Sequence, residues 1–333
     1  MITELASATG RLNDRLTALL ENVETRLQEV VRSPEPDIDE LTKHLASAGG
    51  KRLRPALCGL TSFLGPDSAN EATEISATVV ELTHLATLYH DDVMDDAPMR
   101  RGVVSAQQLA GNSAAILAGD VLFAKASALV AELGPEAVKL HAVTFERLCF
   151  GQLRETLGAP HDVSARDNYI HVLAEKTGSL IAASARYGVL SSNGSREHAD
   201  AVAEFGERVG VAFQLADDVI DIMSDGDVTG KTPGTDLREG VETMPILLLR
   251  ERAAAGEIDE VGQQILDLLA GDIRDDTVDE SVALLRGHDV MDDVRDLARE
   301  WSDSAIEVLD PIPDGDVKNG LTAFARLMVD RIS

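Results

Sequence analysis

The chain has 333 residues, 44% of them hydrophobic, enough to bury a sizeable core in one large domain or a few smaller ones. With 58 acidic against 30 basic residues its net charge is −28, a surface that repels nucleic acid and any anionic ligand not met by a local basic site or bound cations. Aromatics make up only 3%, so Ala, Leu, Val and Ile dominate the core, and that composition favours helices over sheets.

The N-terminal stretch MITELASATGRLNDRL carries charges where a secretory leader needs an apolar run. No uninterrupted run of 18 or more apolar residues reads as a membrane span, so the expectation is a cytoplasmic protein, with contact at a membrane surface left open. Leu12, Leu16, Leu19, Val23, Leu27 and Val30 then recur at three- and four-residue steps, one apolar stripe of a first helix that ends at Pro34 and Pro36. A second helix covers Ile38 to Ala48 and closes at Gly49-Gly50. Helical patterns follow over 55–64, 68–96, 113–133, 135–157, 166–190, 197–223, 243–255, 257–270, 277–287, 290–308 and 316–331. Gly134-Pro135, Gly158 to His161 and Ser191 to Ser195 read as turns. No strand alternation, repeat or linker stands out, so the prediction is a single all-α bundle over 1–333, with 1–35 as an N-terminal helical arm. The least helical segment, 224–242, is rich in Gly, Asp and Thr, and connections of that length are often functional. Cys58 and Cys149 are far apart and near no metal-ligand cluster, so both read as buried reduced thiols.

Within the fourth helical run, LYHDDVMDDAPMRRG crowds Asp91, Asp92 and Asp95 into the pattern DDxxD. Asp91 and Asp95 share a face and Asp92 lies about 100° round the helix, so the pairs repel by about a few tenths of a kcal/mol each. Taken alone, such a group is an ordinary solvated helix end. The pattern returns 126 residues later as Asp217, Asp218 and Asp221, inside an apolar helix bearing Val211, Phe213, Leu215, Val219, Ile220 and Ile222. Acids set in a core need partners or metals. Two triplets facing each other across a bundle would hold hard divalent cations, and Mg²⁺ suits carboxylates shared with substrate phosphates. Nothing matches a zinc site.

Basic residues are few, so their placement is informative. GGKRLRP sets Lys51 and Arg54 after two glycines, Arg100-Arg101 follow the first acidic motif, Lys176 lies in EKTGSL, and Lys231 in GKTPGTD. Singly, each reads as surface charge or a snorkelling side chain. The GDVTGKTPGTDL stretch lacks the spacing of a phosphate-binding P-loop. His84, taken alone, is a structural helical histidine.

GGKRLRP, LYHDDVMDDAPMRRG, EKTGSL, AFQLADDVID and GKTPGTDLREG resemble, in order, the motifs of trans-isoprenyl diphosphate synthases, from about residue 40 to the C-terminal LMVDRIS. The resemblance implies a large all-α bundle, a homodimer, and two aspartate-rich helices facing across a deep cavity. It implies that Asp91, Asp92, Asp95, Asp217, Asp218 and Asp221 hold about three Mg²⁺ on an allylic diphosphate, with Arg100, Lys176 and Lys231 as direct contacts. Lys51, Arg54, His84 and Arg101 then resemble an isopentenyl diphosphate site, Phe213 a contact to the isopentenyl chain, and Thr177 and Gln214 dipoles near the developing cation. The family often has lysine after the glycine of DLREG, where this chain has Val241 and then Glu242. Asp96 takes no role.

The family blocks chain growth with bulky residues just before the first motif, roughly one helical turn above Asp91. Ala86 and Thr87 are small there, which predicts an open tunnel and a long all-trans product of about heptaprenyl to decaprenyl size for a quinone side chain. A plainer reading of Ala86 is close helix packing. Other readings are a short-chain geranylgeranyl or farnesyl diphosphate synthase, a terpene cyclase, and a non-catalytic regulatory subunit. Retention of Lys51, Arg54 and Arg101 argues against the cyclase, and two intact aspartate motifs against the subunit.

Overall fold

Helical periodicity is realised almost end to end. The structure, a computed structural model, describes residues 9–160, 162–224, 233–271 and 274–332. In chain order, α1 is Asn13–Val30, α2 Pro36–Ser47, α3 Leu53–Ser62 and α4 Glu71–Met94. Strands β1 Met99–Arg100 and β2 Val103–Val104 follow, then α5 Ala106–Ala110, α6 Asn112–Glu132, α7 Pro135–Leu157 and α8 Ala165–Leu173. After a π turn at Ala174–Gly178 come α9 Ser179–Ser191, α10 Arg196–Met223, α11 Thr235–Arg238 and α12 Met244–Ala255. The chain ends with α13 Glu260–Leu269, α14 Asp275–Arg286, α15 Val290–Glu307, α16 Asp316–Val329 and a 3₁₀ turn, Asp330–Ile332.

Two compact units divide the chain. The first comprises Met1–Arg147, Ser179–Gly206 and Val308–Phe324; the second comprises Leu148–Gly178, Glu207–Glu307 and Ala325–Ser333. In the first unit, α4 is the central helix and packs against α1, α3, α6 and α9. Its start is fixed by Asn70, whose side chain accepts from the Thr73 N–H at 2.8 Å. Its far end is tied to α2 by Tyr89, whose hydroxyl donates to the Leu41 carbonyl at 2.5 Å and accepts from the Leu45 N–H at 3.3 Å. In the second unit, Val211, Leu215, Val219 and Ile222 of α10 form one core with Met244, Ile246 and Leu249 of α12 and Leu285, Val290 and Val294 beyond it. A single acidic helix therefore carries its carboxylates directly beside core side chains.

Three sequence expectations are corrected. The run expected over 166–190 is broken by the π turn at Ala174–Gly178. Backbones crowd it: a Cβ on Gly151 would lie 2.7 Å from Lys176 N, and one on Gly210 would lie 2.4 Å from Gly178 Cα. Such π turns recur at functional sites, and this one carries Lys176 and Thr177. The chain also has a small antiparallel hairpin, too short to show strand alternation, with Met99 opposite Val104 and Arg100 opposite Val103. Its two-residue turn, Arg101-Gly102, has φ of 53° and 78°, the left-handed pair that matches strand twist. Cys58 is buried, but Cys149 is exposed, on the same helix as exposed Phe150 and Leu153. By length and composition alone α6 could cross a membrane, although Asp120 and Lys125 interrupt its apolar run. It nevertheless packs on α4, and Lys125 within it donates to the Val30 and Arg32 carbonyls at 2.7 and 2.9 Å.

Candidate active site

In the first unit, basic side chains gather round one buried acid. Glu81, in the middle of α4, is 1% exposed. Arg52 Nη1 donates to its Oε1 at 2.7 Å and Arg101 Nη2 at 3.4 Å. Arg52 also donates to Glu24 Oε2 at 2.9 Å and to the Ala46 carbonyl at 2.9 Å, and Arg101 Nη1 to the carbonyls of Gly49 and Leu45. The glycine pair makes room for this: a Cβ on Gly50, whose φ is +145°, would sit 3.0 Å from the Arg101 guanidinium carbon. Arg54 lies in the same field, with Nε buried and without a hydrogen-bond partner among the described residues. Burial pushes its guanidinium down to about 10, against the pull of Glu81. Burial and the nearby arginines, Arg54 and Arg101 first, hold the His84 imidazole well below its usual value, so it is neutral at pH 7. Lys51 is exposed at the edge of this group. Two residues that motif reading passed over, Arg52 and Glu81, thus organise three that it named.

The first aspartate triplet ends α4. Asp92 is fully buried, Asp91 partly so, and Asp95 exposed. The Asp95 N–H closes the last turn on the Asp91 carbonyl at 2.8 Å. Carboxylates at a helix C-terminus oppose the helix dipole, so this end attracts cations. Arg100 Nε donates to Asp92 Oδ1 at 2.5 Å, while Asp92 Oδ2 is buried with no hydrogen-bond partner among the described residues. Burial pushes the Asp92 carboxyl up, with Arg100 partly offsetting it. Asp96, given no role by sequence, takes φ of 47° and accepts from the Gln107 amide at 3.1 Å, a stop for the helix. One turn above Asp91, Thr87 Oγ1 donates to the His84 carbonyl at 2.8 Å. Ala86 is fully buried, and its carbonyl would lie 3.2 Å from a Cβ on Gly119 of α6.

In the second unit, the π turn brings Lys176 Nζ to Glu155 Oε2 at 2.6 Å, and Gln152 Nε2 holds the same oxygen at 3.0 Å. Thr177, Phe213 and Gln214 are partly buried. Arg331 of the terminal turn pairs with Asp217 Oδ1 at 2.8 Å and lies 5.2 Å from the centre of the Phe213 ring. Asp218 is 4% exposed, and its carboxylate accepts from Tyr169 Oη at 2.9 Å on each oxygen and from the Met244 N–H at 3.2 Å. Burial and then Asp236 push the Asp218 carboxyl well above its ordinary range. Asp221 Oδ1 and Oδ2 accept from the N–H groups of Thr235 and Asp236 at 3.1 and 3.4 Å, tying down the start of α11. Val241 donates its N–H to the Asp236 carbonyl at 2.9 Å, and Glu242 is paired with Arg250. Lys231 and the middle of the 224–242 segment lie outside the described residues.

Among the described residues no three carboxylate, imidazole or thiol groups converge into an all-protein metal cage. The buried Oδ2 of Asp92, without a hydrogen-bond partner among those residues, is the kind of donor a hard divalent cation uses.

Residues 35–283 match the profile of the polyprenyl synthetase family. The chain is 42% identical over 310 residues to nonaprenyl diphosphate synthase of Mycobacterium tuberculosis, covering 93% of this chain and 91% of that one. Its fold superposes on a geranylgeranyl pyrophosphate synthase from Corynebacterium glutamicum, complexed with calcium and isoprenyl diphosphate, with a TM-score of 0.85, 41% identity and coverage of 97% and 98%. A decaprenyl diphosphate synthase from Rhodobacter capsulatus gives a TM-score of 0.85 at 30% identity, with coverage of 98% and 99%. An all-α chain with these paired acidic motifs therefore belongs to the polyprenyl synthetase family, and with it to the prenyltransferases.

Proposed function

We propose that this chain condenses isopentenyl diphosphate with an allylic diphosphate and repeats the step to a long all-trans polyprenyl diphosphate. The observation that carries the reading is the pair of buried middle aspartates, Asp92 and Asp218, each oriented by a hydrogen-bond donor inside a DDxxD motif. Asp91, Asp92, Asp95, Asp217, Asp218 and Asp221 would hold Mg²⁺ with the allylic diphosphate. When bound, Mg²⁺ neutralises charge that grows on the departing diphosphate, a stabilisation specific to the transition state.

The remaining steps belong to the side chains. Arg100, Lys176 and Lys231 bind the allylic diphosphate. Lys51, Arg54 and Arg101, with neutral His84, bind the diphosphate of isopentenyl diphosphate. Phe213 lies along its chain and fixes its π-bond near the reacting carbon. Thr177 and Gln214 turn their oxygen dipoles to the allylic cation, and the apolar surroundings exclude water from it. A proton is then lost from the adduct to the released diphosphate, and a five-carbon unit has been added.

Small Ala86 and Thr87 leave the product path open, and similarity to the nonaprenyl and decaprenyl synthases at 42% and 30% identity supports a product of about heptaprenyl to decaprenyl size for a quinone side chain. The geranylgeranyl synthase at 41% identity keeps a shorter product as the second reading. Exposed Ile116 and Leu117 on α6 and Val138, Val143 and Phe145 on α7 support a homodimer that covers them. Asp92→Asn and Asp218→Asn test the reading: each should cut Mg²⁺-dependent elongation by about two orders of magnitude or more while circular dichroism is unchanged. Full activity in a folded Asp218→Asn chain would contradict it.

A further inference from the structure

We propose that Tyr169 is a positioning residue for the second aspartate triplet, setting the Asp218 carboxylate in the orientation that a divalent cation requires. The inference rests on reading Asp218 as a metal ligand.

Asp218 is 4% exposed and sits on α10 among core side chains. Its carboxylate could turn about its last torsion, because such terminal torsions are broad. Two donors from two other elements stop it. Tyr169 Oη, on α8, lies 2.9 Å from both Oδ1 and Oδ2, so its one proton is shared between the oxygens and the phenol lies on the carboxylate's midline. The Met244 N–H, at 3.2 Å from Oδ2, is the first of α12. That N–H belongs to a helix start with no side-chain cap from Thr243, so Asp218 satisfies an otherwise orphaned donor. Helices α8 and α12 pack on each other, so the two donors are held as a pair.

Among the described residues Oδ1 accepts from Tyr169 alone, while Oδ2 accepts from both donors, which leaves Oδ1 the greater capacity for a metal. Oriented neighbours of this type are worth about 10–100-fold in metal affinity. Tyr169 also stands seven residues before Lys176, on the helix that runs into the π turn. The chain segment that orients the ligand therefore also delivers the cation proposed to meet the diphosphate.

The test compares wild type and Tyr169→Phe, which keeps the ring and removes the hydroxyl. Thermal melting is followed against Mg²⁺ concentration with inorganic pyrophosphate present, and elongation is followed against Mg²⁺. The expected result is a Mg²⁺ midpoint raised about 10–100-fold in both assays, with elongation recovered at saturating Mg²⁺. Midpoints within about threefold of each other overturn the inference alone. A wild-type chain that takes up no Mg²⁺ overturns the reading of Asp218 and the inference with it. Should Tyr169→Phe not fold, Asp218→Asn is compared with the uncharged double variant Asp218→Asn/Tyr169→Phe. Equal midpoints in that pair support the coupling, and unequal midpoints overturn it.

Discussion

Glu81→Gln isolates the part of the site that motif reading missed. The substitution keeps the shape of the side chain and one acceptor oxygen while removing the charge between Arg52 and Arg101. Glu81, Arg52 and Arg101 have side chains only 2%, 13% and 15% exposed, so solvent screens the group weakly. Breaking a buried ion pair from one side costs about 3–5 kcal/mol. Both arginines keep partners, Arg52 on Glu24 and the Ala46 carbonyl and Arg101 on the Gly49 and Leu45 carbonyls, which places the loss near the low end, about 3 kcal/mol. An unfolding entropy of about 2 cal/mol/K per residue turns that into a fall in Tm of about 4 °C for a chain of this size. Arg101 would also lose the anchor that aims it, so KM for isopentenyl diphosphate should rise more than kcat falls. The assays are thermal melting and steady-state elongation. Glu24→Gln is the control, since Glu24 is 44% exposed and its pair is worth at most about 1 kcal/mol. An unchanged Tm together with an unchanged KM in Glu81→Gln would refute the reasoning.

Three other outcomes follow from the same structure. Ala86→Phe should shorten the products, at a cost of about 1–3 kcal/mol from overpacking beside Gly119; an unchanged product ladder in the folded variant would leave Ala86 a packing residue. Leu117, 62% exposed on α6, should become a dimer-breaking site when changed to Lys, read as a halved mass by light scattering with secondary structure retained. His84 stays neutral in the fold while its unfolded imidazole takes a proton below about pH 6.5, so its contribution is full above that pH and is lost as pH falls toward the depressed folded value. Tm measured from pH 7.5 to 5 should therefore fall less steeply in His84→Gln than in wild type.

Long helices were legible because their apolar period and punctuation agree. Asn70 starts α4 and Asp259 starts α13 by accepting from N–H groups three residues on. The π turn was not legible, because Leu173 and Leu180 keep the helical period on either side of Ala174–Gly178, and the close approach of Gly151 and Gly210 to the turn is visible only in the fold. The hairpin at Met99–Val104 is two residues per strand, below the length at which alternation can be seen. Asp triplets and glycine-flanked basic residues declared themselves by spacing. Glu81 and Tyr169 did not, since their partners are 20 to 49 residues away in sequence. A signal existed for Glu81: one acid within SATVVELTHLA, an otherwise uncharged helical run, must find a cation.

The most direct test of the central claim is elongation itself. Purified chain is incubated with isopentenyl diphosphate and farnesyl or geranylgeranyl diphosphate, with and without Mg²⁺, and the products are separated by chain length. The account predicts Mg²⁺-dependent addition of five-carbon units to all-trans products of about heptaprenyl to decaprenyl size. Absence of any Mg²⁺-dependent elongation from either primer would contradict it.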